Sequence, residues 1–216
     1  MTAKRDILGR VRGGVGKGDF AGRRAAAEAV LNARLRGPQP TISDGLIERF
    51  RVKAESLAST VDAVSDRKDA PAAVAAYLSA NGLPMRVVVA QEIESLDWSG
   101  CAIVSAARGA VDSDQVGVTA CFCAVAETGT LMLLSGPDSP ATVSLLPETH
   151  IALVDTSRIV ATMEDAFALL RAEREAVPRA INFISGPSRT GDIEQTIVLG
   201  AHGPCRVHLI LIGISS

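Results

Sequence analysis

INFISGPSRTGDIEQTIVLGAHGPCRVHLILIG, Ile181–Gly213, is the stretch whose reading decides the fold. Two apolar runs, Ile181–Ser185 and Arg206–Ile212, bracket a polar centre. Short continuous apolar runs have the pattern of strands covered on both faces. Between them Gly186-Pro187 turns the chain. Ser188 or Thr190 can then cap a short helix that begins near Gly191 and runs through Gln195, Ile197, Val198 and Leu199 to Gly200.

Upstream, apolar residues at Leu46, Ile47, Phe50, Val52, Leu57, Val61 and Val64 recur at helical spacing behind Ser43, a capping residue. A second helix is expected from about Asp69 through Ala80, stopped by Asn81, Gly82 and Pro84. MRVVVA, CAIVSA, CFCAVAE, TLMLLS and HIALVD read as further strands, and Met163, Ala166, Phe167, Leu169 and Leu170 form one helical face between Thr162 and Ala176. CFCAVAE and TLMLLS are joined by a tight turn, because Gly129 stands at the middle of the run. Helices alternating with buried strands and at least one hairpin predict an α/β fold, a mixed open sheet flanked by helices.

Of the 216 residues 47% are apolar and only 3% aromatic, so Ala, Val, Leu and Ile must build the core. Residues 1–40 hold nine Lys/Arg against Asp6, Asp19 and Glu28, leaving the remaining chain near −8. They read as a basic helical arm in two pieces, broken at GGVGKGD and closed by the linker Gly37–Pro40, ahead of one α/β domain over 41–216. The Gly-Lys cluster is no phosphate loop: Lys17 is followed by Gly18 rather than Ser or Thr, and no buried strand precedes it. Nucleic acid is disfavoured too, since no aromatics interleave with the basic residues. The four cysteines, Cys101, Cys121, Cys123 and Cys205, include no CxxC pair, and there is no leader or membrane-spanning run. They predict a reducing, cytoplasmic setting without an iron–sulfur cluster.

Three constellations carry candidate chemistry. In SGPSRTGDIE a helix start and the Arg189 fork would suit a carboxylate or phosphate. Asp192 and Glu194, however, would themselves satisfy the helix dipole, so a capped connection explains the pattern equally well. In AETGTLML, Thr128 and Thr130 offer hydroxyls around Gly129, and Glu127 can serve as acid, base or acceptor; an ordinary hairpin turn is the competing reading. His202, between Gly203 and Ala201 in a turn, is a candidate proton carrier. His208 reads as a core or interface histidine. No histidine is spaced for a metal site, and there is no Gly-x-Ser-x-Gly elbow.

AETGTLML, SLLPETHIALV and SGPSRTGDIEQTIVLGAHGP, in that order, resemble the lactate-utilisation protein C (LUD-domain) family over roughly residues 85–213. The matching positions are Glu127, Thr128, Gly129, Thr130, Pro147, His150, Gly186, Pro187, Ser188, Thr190, Asp192, Ile193, Glu194, His202, Gly203 and Pro204. CFC departs from the pattern at Phe122, and Gly191 stands where a residue such as Ala is expected. The resemblance implies the fold type shared by glucosamine-phosphate deaminase, ribose-phosphate isomerase and CoA transferases. It also implies a subunit of an L-lactate oxidation system whose iron–sulfur partner subunits carry the electrons, while this chain has no cluster of its own.

The function expected is binding of a small anionic ligand or cofactor. Glu127 and His202 are the candidates for proton transfer, and Thr128, Gly129, Thr130, Gly186, Ser188, Arg189, Thr190, Asp192, Glu194 and Gly203 for binding. The alternatives are a noncatalytic assembly module for the iron–sulfur subunits, and an independent sugar-phosphate or CoA-ester enzyme on the same fold.

Overall fold

The computed structural model describes residues 2–14, 19–33, 35, 37–38, 40–42, 45–190, 198–200 and 202–214, with backbone alone for 2, 3, 12, 190, 198 and 199. The chain forms two compact units, Met1–Pro40 and Thr41–Ser216. The first holds helices α1 (Thr2–Gly14) and α2 (Phe20–Ala33). Asp19 opens α2 by accepting the Gly22 N–H at 2.9 Å, and Arg24 pairs with Glu28 at 2.8 Å one turn on.

The second unit runs α3 (Leu46–Ser56), β1 (Thr60–Val64), α4 (Ala70–Ala80), β2 (Arg86–Val89), β3 (Val104–Ala107), β4 (Val116–Ala120), β5 (Cys123–Val125), β6 (Thr130–Leu134) and α5 (Thr142–Leu145). It continues with β7 (Thr149–Asp155), β8 (Ile159–Val160), α6 (Met163–Glu173), β9 (Ile181–Ile184), β10 (Arg189–Thr190), β11 (Val198–Leu199) and β12 (Arg206–Ile212). The α/β class expected from sequence is what forms, as one parallel sheet and a second sheet of mixed pairing. Six parallel strands lie in the order β1-β12-β7-β4-β2-β3; four make a second sheet, β8-β5-β6-β9; β10 and β11 form an antiparallel ribbon.

Period-two alternation explains how the parallel sheet is covered on both faces. Ile151, Leu153, Ile210 and Ile212 face α4 through Val74 and Leu78. Their neighbours Ala152, Val154, Leu209 and Leu211 pack against Phe50 and Ala54 of α3 and Leu131 and Ile184 of the second sheet. Each fully buried Leu or Ile contributes about 1.5–3 kcal/mol relative to exposure. The far side of the second sheet, Cys123, Val125 and Met132, is covered by Ala166 and Leu170 of α6. Thr162 starts α6 with a capping box to Asp165, which confirms the helical face read there.

Several expectations are corrected. Residues 60–64 are not helical: they form the sheet's edge strand, with Thr60 opposite His208, and Ala58 at φ +67° breaks the chain away from α3. Ser43 lies outside the described residues, and Gly45 holds the N-cap position of α3. In CAIVSA only Val104 onward is strand, since Ser99–Cys101 is a 3-10 turn. Val116–Ala120 is a central strand with no counterpart in the sequence reading. Val198–Leu199 is strand rather than helix, paired with Arg189 and Thr190. The rest of the helix expected there, 191–197, lies outside the described residues.

Candidate functional site

The Glu-Thr-Gly-Thr turn joins β5 to β6, with Val125 opposite Thr130. The Gly129 N–H closes it on the Val125 carbonyl at 2.9 Å, and φ of +69° calls for glycine. A second demand comes from outside the turn: a Cβ on Gly129 would lie 2.5 Å from the Ala54 nitrogen and 2.7 Å from the Lys53 carbonyl carbon. Gly186, at φ +80°, meets the same helix end, where a Cβ would lie 2.2 Å from the Leu57 carbonyl oxygen. Both motif glycines therefore seat the C-terminal turn of α3.

Hydroxyls hold the two loops to each other. Thr130 is only 3% exposed, so its Oγ1 needs partners inside the protein. It accepts from Thr128 at 2.7 Å and lies 2.7 Å from the Ser185 hydroxyl. The third motif joins through the backbone. The Ser188 N–H donates to Pro204 at 2.8 Å and the Gly200 N–H to Ser188 at 2.9 Å, while Gly203 faces Ser188 with room for ordinary contact. From there the chain enters β12 at Arg206, an amino end of the parallel sheet. The loop leaves the carboxyl end of β9, a strand of the second sheet.

The candidate residues differ widely in setting. Thr128, Arg189 and His202 are exposed, Glu127, Gly186, Ser188 and Gly203 are half-buried, and Gly129 and Thr130 are buried. Arg189 Nη2 stands 3.5 Å from the Leu57 carbonyl, a position in which a cation is favoured by the C-terminal dipole of α3. Glu127 is fixed through its N–H to Ala161 at 3.0 Å. Among the described residues no hydrogen bond or ion pair joins Glu127 to His202. Thr190 is placed by its backbone in β10, and Asp192 and Glu194 lie outside the described residues.

The other two histidines are structural. His150 is fully buried, its Nε2 2.9 Å from Thr119 Oγ1, and burial alone pushes it down to about 4. His208 bonds Thr60 at 2.8 Å and stacks on Tyr77 at 3.9 Å. Burial takes it to about 4 as well, against the opposing pull of Asp62. Among the described residues no group of three or more His, Cys, Asp or Glu side chains is arranged to hold a metal, and no described helix is long and apolar enough to cross a membrane.

Sequence reasoning missed Ser185, which ties the first motif to the second, and Lys53–Leu57, which explain the glycines. Ser185 had a local signal, a polar residue closing an apolar strand before Gly186; the helix end had none.

Residues 47–212 match the model of the LUD domain family. Lactate utilization protein C of Bacillus subtilis (strain 168) is 44% identical over 101 residues, covering 45% of this chain and 42% of that protein. The protein of the same name from Exiguobacterium sp. (strain ATCC BAA-1283 / AT1b) is 36% identical over 122 residues, covering 55% and 53%. The matched region thus spans about half the length of these curated relatives. A crystal structure of a DUF162 family protein from Deinococcus radiodurans superposes with a TM-score of 0.60 at 24% identity, over 81% of this chain and 100% of that one. That likeness is one of fold.

Proposed function

The chain belongs to the LUD domain family, and from that premise we propose that it works in lactate utilisation as a component that binds a small anion on its motif loops. The relatives named lactate utilization protein C support the process. The observation that carries the binding reading is the chain of hydroxyls from Thr128 through Thr130 to Ser185. It fixes the two loops together and leaves Arg189 and His202 exposed beside them. Arg189 and Ser188 would hold the anion, with Thr190, Asp192 and Glu194 as further binding residues of the motif; Glu127 or His202 would move a proton. Iron–sulfur subunits are the partners proposed, and four free cysteines suit a reducing cytoplasm.

The test is thermal stability with and without L-lactate, pyruvate, phosphate or coenzyme A. A ligand at about 100 times its Kd adds roughly 2.7 kcal/mol, and Arg189→Ala should abolish that gain. An unchanged gain in the variant would remove Arg189 from the site, and no gain from any of the four would remove the anion reading.

A second reading, an assembly face for iron–sulfur subunits, is favoured by one observation. Gly129 and Gly186 are occupied by α3, so the motif side chains present a surface. Capture of those subunits that survives Arg189→Ala and Glu127→Gln, with activity of the whole assembly intact, would favour this reading over anion binding.

A further inference from the structure

The parallel sheet changes direction between β2 and β4: the chain goes from β2 outward to β3, and from β4 the other way to β7. Ligands of open α/β sheets gather at the carboxyl ends of the strands at such a switch point. A cleft of about 340 Å³ opens there, lined among others by Glu92, Ala120, Phe122, Asp138, Ser139 and Arg174. None of these residues belongs to the three sequence motifs.

Its walls are braced. Arg158 donates to the Phe122 carbonyl and grips Glu173 with two hydrogen bonds, 3.1 and 2.8 Å, which fixes the residue next to Arg174. The Gln91 N–H bonds the Asp138 carbonyl at 2.8 Å, bringing the end of β2 to the loop after β6.

Two lining groups are already committed. Cys121 donates its thiol hydrogen to the Cys123 carbonyl at 2.8 Å, and burial raises its pKa, so it is no nucleophile. The Ser135 hydroxyl accepts from the Ala180 N–H at 2.9 Å. Asp138 and Arg174 remain for a ligand, while Glu92 and Ser139, joined to each other by a hydrogen bond, can take part through their other lone pairs. Glu92 is exposed as a residue, yet the protein crowding its carboxyl raises its pKa, against Arg67 and hydrogen bonds from the Ala120 backbone and Ser139. No hydrogen bond engages the Arg174 guanidinium among the described residues.

This set narrows the ligand. A neutral polyol would leave Arg174 without a partner, and an anion without hydroxyls would face two carboxylates with nothing to donate. At about 30 Å³ per water-sized group, the cleft admits roughly ten non-hydrogen atoms, more than a three-carbon acid supplies. We propose that the switch-point cleft binds a polyhydroxylated organic anion, its anionic group on Arg174 and its hydroxyls on Glu92, Asp138 and Ser139.

The experiment is titration of the full-length, isotope-labelled chain, followed by amide chemical shifts. D-erythronate supplies the carboxylate form and glycerol 3-phosphate the phosphate form; erythritol, acetate and inorganic phosphate each lack one feature. At least one of the first two should shift Gly136, Asp138, Ser139 and Ala120–Phe122 and bind about tenfold tighter than every control, and Arg174→Gln should cost about tenfold. Glu92→Gln should weaken binding and Arg189→Gln leave it unchanged. Arg174 and Glu92 are exposed, and an unaltered spectrum away from the cleft verifies that the variants fold. Equal binding of acetate, inorganic phosphate or erythritol, no shift at these amides, or indifference to Arg174→Gln would each overturn the proposal. Shifts confined to residues 186–203 and lost with Arg189→Gln would overturn it while supporting the motif-loop reading.

Discussion

Thr130 and Ser185 place their hydroxyl oxygens 2.7 Å apart across 55 residues of chain, and this contact ties the Glu-Thr-Gly-Thr turn to the loop that begins at Ser185. Thr130→Val keeps the buried shape and removes the hydroxyl. A typical net hydrogen bond is worth about 1 kcal/mol, so urea unfolding of the variant should show a loss of that order. Ser185→Ala should cost a similar amount, and the double variant about the same as either single one. Fully additive losses would show that the hydroxyls do not act together.

Gly129→Ala and Gly186→Ala place a Cβ at positive φ against the backbone of α3. The left-handed conformation costs about 1–2 kcal/mol, and forcing the helix end aside about 1–3 more. Both variants should lose about 2–5 kcal/mol in denaturant. Gly203→Ala, whose Cβ would make only ordinary contact with Ser188, should stay within about 0.5 kcal/mol. Near-neutral behaviour of Gly129→Ala would contradict the seating of α3.

His150 and His208 are each held near 4 by burial, below the ordinary 6.5. Above pH 6.5 both are neutral folded or unfolded and contribute no slope. As pH falls from 6.5 towards 4 the unfolded chain binds protons that the folded chain refuses, so stability falls. Each shift corresponds to about 3 kcal/mol when fully expressed. Urea midpoints measured from pH 7.5 to 4.5 should decline, and His150→Gln should remove its share of the slope. A flat profile would place these histidines in contact with water.

Arg158→Ala should cost about 1–2 kcal/mol. The ion pair with Glu173 is partly exposed, at 31% and 39% of the two side chains, and is worth at most about 1 kcal/mol alone. The remainder comes from the Phe122 carbonyl losing its donor and from the guanidinium leaving the Phe122 ring, 4.8 Å away. Arg158→Lys should recover little, because an ammonium cannot form the fork. Full recovery by Lys would reduce the contact to simple charge.

What the sequence disclosed follows what local chemistry can encode. β2, β7 and β12 are continuous apolar runs, Gly129 marks its turn, and Thr162 with Asp165 marks the start of α6. β1 escaped because Leu57, Val61 and Val64 fit a helical stripe; their actual pattern is an edge strand with Asp62 turned outward. β4 escaped because Gly117 interrupts it, and that glycine is explained only by the Val143 carbonyl, 1.9 Å from where a Cβ would stand. The motifs showed which loops matter but not what fills them, since the end of α3 lies some seventy residues before Gly129 in no recognisable pattern. The switch-point cleft draws on four separated segments, around Glu92, Phe122, Asp138 and Arg174, and only the strand order brings them together.

The strand order also sets a timetable for synthesis. β12 lies between β1 and β7, so the last strand of the sheet to leave the ribosome is an interior one. Until it arrives β1 has no neighbour to pair with, and β7 presents an open flank. A chain released before Arg206–Ile212 would lose an interior strand rather than a margin, exposing two unsatisfied strand edges at once. Nascent chains of this protein should therefore depend most on chaperone protection in the interval before Arg206–Ile212 has left the ribosome.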